Sequence, residues 1–288
     1  MKIAIIGSNG QLGIDLCRAL NNVESISLTH NDIEITDMNS VKEVFSKCNP
    51  DTIINTAAYV RVDDCEDNPD KAFLVNALGV RNVAVWAREH GAKFVQISTD
   101  YVFGGDKVPR TTPYTEFDVP LPLNVYGKSK LAGENFVRHL HHKHFIIRAS
   151  GLFGTTVSSG KGNNFIETII RLGKERSELQ VVDDQIFSPT YTKDLAGKIA
   201  QLISTDFYGV FHITNTGICS WYEFASKIIQ ISGLSARVIP ITSDKYIQKA
   251  KRPQFSVLDH FHLRLLGMDN IRSWEEALAD YMIERECS

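Results

Sequence analysis

The chain has 288 residues, of which 43% are hydrophobic and 23% are charged, and its formal net charge is −3. This is the composition of an ordinary globular protein, and the lack of a basic excess argues against a nucleic acid polymer as partner. The five cysteines form no close pair and no apolar run could span a bilayer, so we expect a cytoplasmic protein with reduced thiols and no membrane partner.

Strands and helices alternate through the first half of the sequence. The strand KIAII ends at a glycine-rich turn, and QLGIDLCRALNN then has helical spacing of its apolar residues. The apolar strands SISL, TIIN, KFVQIS and FIIR follow in turn. A long helix is predicted between TIIN and KFVQIS, with Asn68 as its cap and Gly91 at its end. Strands that are apolar on both faces indicate an α/β fold with a doubly wound parallel sheet of the Rossmann type.

The pattern loosens after about residue 150. Helices such as SWYEFASKIIQISG alternate there with extended stretches such as LQVVDDQIFSPTYT. We therefore predict a dinucleotide-binding domain over residues 1–150 and a second, smaller α+β substrate lobe over residues 151–288. The second segment is expected to be threaded back into the first domain, so these boundaries are approximate.

Three glycines, Gly7, Gly10 and Gly13, come directly after the first strand and open the first helix. A turn of this kind presents backbone N–H groups and the positive end of a helix to a pyrophosphate. The strand, turn and helix context favours dinucleotide binding over a plain tight turn. The G-x-x-G-x-x-G spacing is typical of the short-chain dehydrogenase/reductase superfamily.

The end of the second strand bears on the choice of nucleotide. NAD sites usually carry a carboxylate there, which accepts from the ribose 2′-hydroxyl. This chain has Thr29 and His30 at that place, and Asp32 comes later. A missing carboxylate removes repulsion of a 2′-phosphate and a protonated His30 would attract it, so we predict that NADP(H) is preferred and that NAD(H) can also be used. Asp37 could accept from the adenine amine or cap the next helix, and both roles are compatible.

Polar residues end the fourth strand, and a tyrosine and a lysine follow in the next helix. Thr99 stands at the carboxyl end of that strand, where ligands of a doubly wound sheet bind. Tyr126 and Lys130 lie four positions apart in YGKSK, on one face of a helix. A ketone that is reduced by hydride needs a proton on its oxygen, and Tyr126 can supply it. We expect Lys130, together with the oxidised nicotinamide, to lower the pKa of Tyr126 and to donate to the nicotinamide ribose, while Thr99 orients the carbonyl.

These motifs together resemble the extended short-chain dehydrogenase/reductases and, more narrowly, the dTDP-4-dehydrorhamnose reductase family. The likeness extends over nearly the whole chain. It rests on GSNGQLG, NTAAYVRVDDCE, VNALG, STDYVF, PLNVYGKSKLAGE, GKGNNF, DDQIFSPTYTKDLA and AKRPQFSVLD. The resemblance implies that Thr99, Tyr126 and Lys130 form the catalytic set.

The resemblance also implies a set of binding positions. Those that match cofactor contacts are Gly10, Gln11, Leu12, Asp37, Met38, Ala57, Ala58 and Tyr59. Those that match contacts to the deoxysugar are Thr99, Asp100 and Tyr126, and further substrate candidates are Tyr101, Gly151, Asn164 and Arg252. Arg252 could bind a diphosphate or form a surface ion pair. Asn163 and Asn164 could contact the sugar or cap the next helix, and capping is favoured.

The sequence departs from the family pattern at two sites besides the second strand. Family members often carry a tryptophan after R-x-S, where this chain has Gly151, so we expect a roomier pocket unless Leu152 or Phe153 fills it. Some members bind magnesium at a dimer contact, and Asp15 stands at one such position. We interpret Asp15 as a surface helix carboxylate and predict no metal. Trp221 is interpreted as packing within the second lobe rather than stacking on a ligand.

The prediction is therefore a reductase that transfers a hydride from NADPH or NADH to C4 of a nucleotide-linked 4-keto-6-deoxy sugar. The first candidate substrate is dTDP-4-dehydrorhamnose, which would give dTDP-L-rhamnose. One alternative is another extended short-chain enzyme of nucleotide sugars, such as an epimerase or dehydratase. The other is a non-catalytic regulatory subunit resembling that of methionine adenosyltransferase. A homodimer is compatible with each of these functions.

Overall fold

A six-stranded parallel sheet lies at the centre of the protein. The structure is a computed structural model and describes residues 1–156, 164–246 and 248–286. The strands are β1 (Lys2–Ile6), β2 (Glu24–Leu28), β3 (Thr52–Asn55), β4 (Lys93–Thr99), β5 (His144–Ala149), β6 (Leu152–Phe153), β7 (Glu178–Val182), β8 (Ile186–Phe187), β9 (Thr190–Tyr191), β10 (Gly209–His212), β11 (Cys219–Ser220) and β12 (Arg237–Ile241). The helices are α1 (Gln11–Ala19), α2 (Met38–Cys48), α3 (Val62–Asp67), α4 (Pro69–Phe73), α5 (Val80–His90), α6 (Val125–Leu140), α7 (Phe165–Glu175), α8 (Thr192–Ile203), α9 (Trp221–Ile231), α10 (Phe261–Leu265) and α11 (Trp274–Glu284).

The central sheet has the strand order β10-β5-β4-β3-β1-β2, and its pairings are parallel. The chain runs from β1 to β2 at one edge and then crosses to β3 on the other side of β1. The direction of winding therefore reverses between β1 and β3, and the loops that leave these two strands open a crevice at their carboxyl ends. This arrangement confirms the predicted α/β fold with a doubly wound parallel sheet.

Alternate side chains of each strand enter separate cores on the two faces of the sheet. Ile5 of β1 belongs to the same core as Leu195 of α8. The next residue, Ile6, belongs to the opposite core, which contains Phe45 of α2 and Trp86 of α5. The sheet is thus buried on both faces, which explains why its strands read as continuous apolar runs.

A further core lies outside the sheet, among α7, α9 and α11 and the parallel pair of β7 and β12. Its large side chains are mainly aromatic and include Phe153, Phe187, Tyr191, Phe224, Trp274 and Tyr281. Two elements that follow residue 151 in sequence belong to the first domain instead: β10 pairs with β5 of the central sheet, and α8 shares a core with α1. The second half of the chain therefore adds a strand, Gly209–His212, to the central sheet. The domain boundary at residues 150 and 151 stays a prediction.

The long helix predicted between β3 and β4 is interrupted. After α4 comes a π-helical segment, Leu74–Gly79, and α5 then continues to Gly91, which ends the helix with a φ of 69° as predicted. Within the π segment Asn76 is buried, and its side chain bonds the backbone amide and carbonyl of Tyr59 at 2.8 and 3.0 Å. Asn68 is not the side-chain cap, because its amide donates back to a carbonyl of α3 at 3.2 Å. The sequence predicted one continuous α-helix over this stretch, and the π-helical segment was not foreseen.

Within the described residues, every helix is too short or too polar to cross a membrane.

Candidate active site

One cavity of about 800 Å³ opens where the strands of the central sheet end. It brings together most of the residues that the sequence nominated: Gly7, Gly10, Gln11, Leu12, Gly13, His30, Ala57, Ala58, Thr99, Asp100, Tyr101, Tyr126, Lys130, Gly151 and Asn164. Five nominated residues do not line it: Thr29, Asp37, Met38, Tyr59 and Arg252. The glycine turn and the Thr99, Tyr126 and Lys130 set therefore face a common space.

The glycine turn is shaped for a close backbone approach. A Cβ at Gly13 would lie 2.2 Å from the carbonyl oxygen of Gly7, so only glycine lets α1 begin this close to the turn. No side chain of the described residues caps α1 at Gly10, which leaves the first N–H groups of the helix available. The buried side-chain nitrogen of Gln11 also has no hydrogen-bond partner among the described residues. These free donors fit the pyrophosphate of a dinucleotide.

The end of β2 differs from the expectation that it carries no acid. The amide and hydroxyl of Thr29 donate to the carboxylate of Asp32 at 2.8 and 2.7 Å, and these bonds hold the pKa of Asp32 below its usual range. His30 lies 3.5 Å from the carboxylate of Glu34. The interpretation of a carboxylate-free strand end is therefore wrong, because the chain turns back and places Asp32 against Thr29. His30, rather than Thr29, reaches the cavity.

The other cofactor candidates that lie outside the cavity have structural partners. The Asp37 carboxylate accepts from the amide of Asn39 at 2.9 Å, which confirms its capping of α2. Met38 is the first residue of that helix. The ring of Tyr59 lies under the ammonium of Lys71 at 5.2 Å. Contacts of these residues with a cofactor stay predictions.

Helix α6 positions the predicted catalytic pair, Tyr126 and Lys130. Asn124 caps the helix by accepting from the amide of Gly127 at 2.8 Å, so Tyr126 falls in the first turn and Lys130 one turn later on the same face. Both side chains line the cavity. The edge of the Tyr101 ring packs on Tyr126 with 6.0 Å between ring centres.

The environment of Tyr126 keeps its phenol protonated. Burial raises the pKa of Tyr126 above its ordinary value, the nearby Thr99 hydroxyl acts in the opposite direction, and the charge of Asp100 raises it again. The expected lowering of this pKa concerns Lys130 acting together with an oxidised nicotinamide, and it stays a prediction. The ammonium of Lys130 donates to the carbonyl of Ile97 at 2.6 Å. Tyr126 is thus held in the form that can donate a proton.

Lys130 is itself perturbed. Burial lowers the pKa of Lys130 to about 8, and the charge of Glu134 one turn further along α6 opposes that shift. Glu134 is fully buried, and it accepts from Ser98 at 2.5 Å and pairs with Arg148 of β5 at 2.7 Å. This buried pair fastens the catalytic helix to the sheet.

Asp100 is held by a ring of hydroxyl groups. Its carboxylate accepts from Ser256 at 2.6 Å, from Ser150 at 2.8 Å and from Thr99 at 3.1 Å. Burial raises the pKa of Asp100 to about 6, against these hydrogen bonds. The sequence interpretation missed both serines. Ser150 could have been found, because it directly follows β5 beside β4, but no local pattern marks Ser256.

The wall beside Gly151 is filled rather than open. Gly151 has a left-handed φ of 53°, and a Cβ there would lie 2.4 Å from the ring of Phe187. The expectation of a roomier pocket is therefore wrong, and the filling residue is neither Leu152 nor Phe153. Phe187 stacks on Trp221 with ring centres 4.0 Å apart and planes at 24°. Trp221 packs in the second lobe as predicted, but it also lines the cavity.

The two polar candidates of the second half are engaged within the protein. Asn164 caps α7 by accepting from the amide of Glu167 at 2.9 Å, which confirms the favoured role, and Asn163 lies outside the described residues. The two terminal nitrogens of Arg252 donate to the Asp63 carboxylate at 2.8 and 3.1 Å. The structure thus forms the ion pair foreseen for Arg252, and a diphosphate contact stays a prediction.

A second cavity of about 980 Å³ adjoins the first, since Gln185 and Ile186 line both. Its lining carries four cationic side chains, Lys107, Arg110, Lys251 and Arg252, and three carboxylates, Asp106, Glu223 and Asp244. The cavity with the predicted catalytic residues therefore lies beside one with a small excess of positive side chains.

Asp15 is not the surface carboxylate that we expected. It is 6% exposed and accepts from Thr192 at 2.5 Å and from Arg18 at 3.1 Å, and burial raises its pKa. Helix α8 returns from the second half of the chain to cover it, which sequence spacing does not indicate. The described residues contain no group of three or more metal-binding side chains.

Comparison with known proteins decides the family. A family model described as the RmlD substrate binding domain matches residues 1–287. The crystal structure of a dTDP-4-dehydrorhamnose reductase from Clostridium acetobutylicum superposes with a TM-score of 0.94 at 44% identity, covering 99% of this chain and 100% of that one. The chain belongs to the dTDP-4-dehydrorhamnose reductase family. This membership confirms the resemblance drawn from the motifs.

Two further relatives are similar to this chain over nearly its whole length. The dTDP-4-dehydrorhamnose reductase of Bacillus anthracis, solved in complex with NADP, superposes with a TM-score of 0.93 at 46% identity over 99% of this chain and 100% of that one. The spore coat polysaccharide biosynthesis protein SpsK of Bacillus subtilis is 43% identical over 286 residues, or 99% of this chain and 98% of SpsK.

Proposed function

We propose that the protein transfers a hydride from NADPH to C4 of a dTDP-linked 4-keto-6-deoxyhexose. The first candidate is dTDP-4-dehydrorhamnose, with dTDP-L-rhamnose as product. The observation that carries the proposal is the single cavity in which the glycine turn faces Thr99, Tyr126 and Lys130. Relatives named dTDP-4-dehydrorhamnose reductase, which this chain matches over nearly its whole length, support the choice of substrate.

NADPH fits the side of the cavity that is formed by the glycine turn and the start of α1. The free N–H groups at the start of α1 and the unpaired amide of Gln11 would hold its pyrophosphate. When bound, the cofactor supplies the hydride. His30, which lines the cavity, would meet the adenosine end, and the Bacillus anthracis relative was solved with NADP. We infer a preference for NADPH from that relative and from His30. Asp32 and Glu34 lie by Thr29 and His30 and would oppose a 2′-phosphate, so we expect NADH to be used as well, though less efficiently.

The protein's own groups would guide the proton. Tyr126 donates its phenolic proton to the ketone oxygen as the carbonyl is reduced, and the remaining phenolate is stabilised by the Lys130 ammonium until it regains a proton from solvent. Thr99 would orient the same oxygen. Its hydroxyl donates to Asp100 in the described structure, so binding the ketone requires that hydroxyl to rotate.

The nucleotide half of the substrate would occupy the second cavity. Lys107, Arg110 and Lys251 line that cavity and are suited to a diphosphate. The shared boundary at Gln185 and Ile186 would then place the sugar next to Tyr126. Arg252 would join them only by leaving part of its bonding to Asp63.

The two alternative functions are less well supported. A binding subunit has no need of a buried tyrosine that is poised to donate a proton. An epimerase would retain its cofactor tightly through turnover, whereas a reductase exchanges its cofactor after each hydride transfer. The described cysteines, Cys17, Cys48, Cys65 and Cys219, form no disulfide, which supports our inference of a cytoplasmic location. A homodimer stays a prediction.

The test is a substrate panel. Purified protein would be given dTDP-linked and UDP-linked 4-keto-6-deoxy sugars with NADPH or NADH, and cofactor oxidation would be followed by absorbance. We expect the highest kcat/KM with dTDP-4-dehydrorhamnose and NADPH. Turnover with none of the 4-keto sugars, or a tenfold preference for NADH, would contradict the proposal.

A further inference from the structure

An aromatic pair from the second lobe faces the reacting end of the first cavity. Phe187 lies in β8 and Trp221 begins α9, and their rings stack at 4.0 Å. Both line the same cavity as Tyr126. Phe165 extends the surface, with its ring centre 4.7 Å from that of Trp221.

Backbone register places Phe187 close to the catalytic groups. Thr99 of β4 pairs with Ala149 of β5, and the hydroxyl of the next residue, Ser150, donates to Asp100 at 2.8 Å. Gly151 follows at once, and the ring of Phe187 fills the position that a Cβ of residue 151 would take. The ring therefore lies against Gly151, just beyond the end of β5, which pairs with the end of β4 at Thr99.

The pair is held rigidly before any ligand binds. Phe187 is 3% exposed, and β8 pairs with β11 so that Phe187 stands opposite Cys219. Trp221 follows Ser220, which caps α9 in a reciprocal arrangement with Glu223. The hydroxyl of Ser220 also donates to the carboxylate of Asp183 at 2.6 Å. A surface fixed in this way can select one pose of a ligand at little entropic cost.

A 6-deoxy sugar offers the matching surface. Its ring carries faces of C–H groups and its C6 is a methyl, so one side of it is apolar and suited to an aromatic wall. We propose that Phe187 and Trp221 form the wall against which the apolar face of the 4-keto-6-deoxy sugar packs, and that this wall selects the pose of the sugar. The proposal rests on the proposed reductase function and adds its specificity-determining residues.

A matched pair of substitutions tests the wall. Trp221→Leu removes an aromatic from the cavity, while Trp274→Leu removes one from the same core, 5.6 Å from Phe224 but away from the cavity lining. We expect Trp221→Leu to lower kcat/KM for the sugar by about tenfold to a hundredfold, the range of apolar fit. The KM for NADPH should stay within about twofold, and Trp274→Leu should leave the KM of the sugar unchanged. Phe187→Leu, a second variant, should repeat the loss.

A binding measurement separates this inference from the function it rests on. Quenching of tryptophan fluorescence would be titrated with dTDP-L-rhamnose and with dTDP alone, in the native protein and in Trp221→Phe. We expect the sugar nucleotide to quench the native protein more than dTDP does, and Trp221→Phe to abolish the difference. Native protein that fails to turn over any 4-keto sugar yet shows this difference would refute the reductase and uphold the wall. The wall is refuted if the difference persists in Trp221→Phe, or if Trp221→Leu matches Trp274→Leu in kcat/KM for the sugar.

Discussion

At the scale of single residues, the proposed chemistry depends on a phenol that stays protonated. Burial raises the pKa of Tyr126, so the acid is available throughout the neutral range. Tyr126→Phe keeps the ring and removes the proton, and we expect kcat to fall by at least about a hundredfold with little change in NADPH affinity. Steady-state kinetics and a cofactor titration would measure both. Tyr208→Phe, which removes a phenol bonded to Asp206 outside the cavity, is the control, and near-normal turnover by Tyr126→Phe would remove this residue from the mechanism.

A second residue-scale prediction concerns the backbone at Gly151. Gly151→Ala meets two costs, a left-handed φ of 53° and a Cβ 2.4 Å from the Phe187 ring. Gly267→Ala meets only the first, since its φ is 65° and nothing lies within 4 Å of its Cβ position. We expect Gly267→Ala to lower the free energy of unfolding by about 1 kcal/mol and Gly151→Ala to lower it by about 2–3 kcal/mol. Urea denaturation of both variants would measure the difference. Equal losses of the free energy of unfolding would mean that the Phe187 ring moves aside at no measurable cost.

Residues whose roles are set by neighbours in sequence were the ones that sequence reasoning could find. Gly13 and Tyr126 belong to short patterns with a direct physical meaning, so their places in the cavity were predictable. Asp32 was misjudged because a turn of three residues folds it back on Thr29. Ser256 and Asp63 act on partners more than a hundred residues away, and no local pattern gives such pairings.

At the scale of elements, helix α6 is fastened to the sheet by a buried charge pair. Glu134→Gln would leave the guanidinium of Arg148 buried without its counter-charge, and we expect a loss of about 3–5 kcal/mol in the free energy of unfolding. The control is Glu175→Gln, which breaks an exposed pair with Arg171 on α7 and should cost less than about 1 kcal/mol. Denaturant titrations of both variants provide the comparison. Similar small losses in the two would show that the buried pair does not anchor the helix.

The same helix predicts a pH dependence of the reaction. Lys130 has its pKa lowered by burial to about 8, so it carries its charge below that pH and loses it above. Tyr126 stays protonated over the same interval because its pKa is raised. The value of kcat/KM for reduction should therefore fall as the pH rises through about 8. Lys130→Arg, which stays charged, should lack this fall in whatever activity it retains.

A pH profile of both proteins from about pH 6 to about pH 10 would check this prediction. A native profile that stays flat to the alkaline end would contradict the assignment to Lys130, as would an unchanged fall in Lys130→Arg.

Element type was more predictable from sequence than element continuity. The strands of the central sheet follow from apolar runs, because both faces of that sheet are covered by helices. The π-helical segment Leu74–Gly79 was not foreseen. Asn76 of this segment bonds the backbone of Tyr59, 17 residues away, and no local pattern indicates that pairing.

At the scale of the whole molecule, the cavity is built from both halves of the chain. The first half contributes the glycine turn, the predicted catalytic set, and Lys107 and Arg110 of the adjoining cavity. The second half contributes the aromatic pair Phe187 and Trp221, together with Lys251 and Arg252 of the adjoining cavity. The sequence predicted a second lobe threaded back into the first domain. It could not predict that the closing wall beside Gly151 would come from Phe187, because that contact depends on how the two halves pack.

The transfer of hydride to C4 of the sugar is the central claim, and isotopic labelling tests it most directly. The protein would be incubated with dTDP-4-dehydrorhamnose and NADPH that carries deuterium at the transferred position, and the sugar nucleotide would be examined by NMR. We predict one deuterium at C4 of dTDP-L-rhamnose for each NADPH consumed. An unlabelled sugar, a label at another carbon, or a recovered ketone with no NADPH consumed would contradict it.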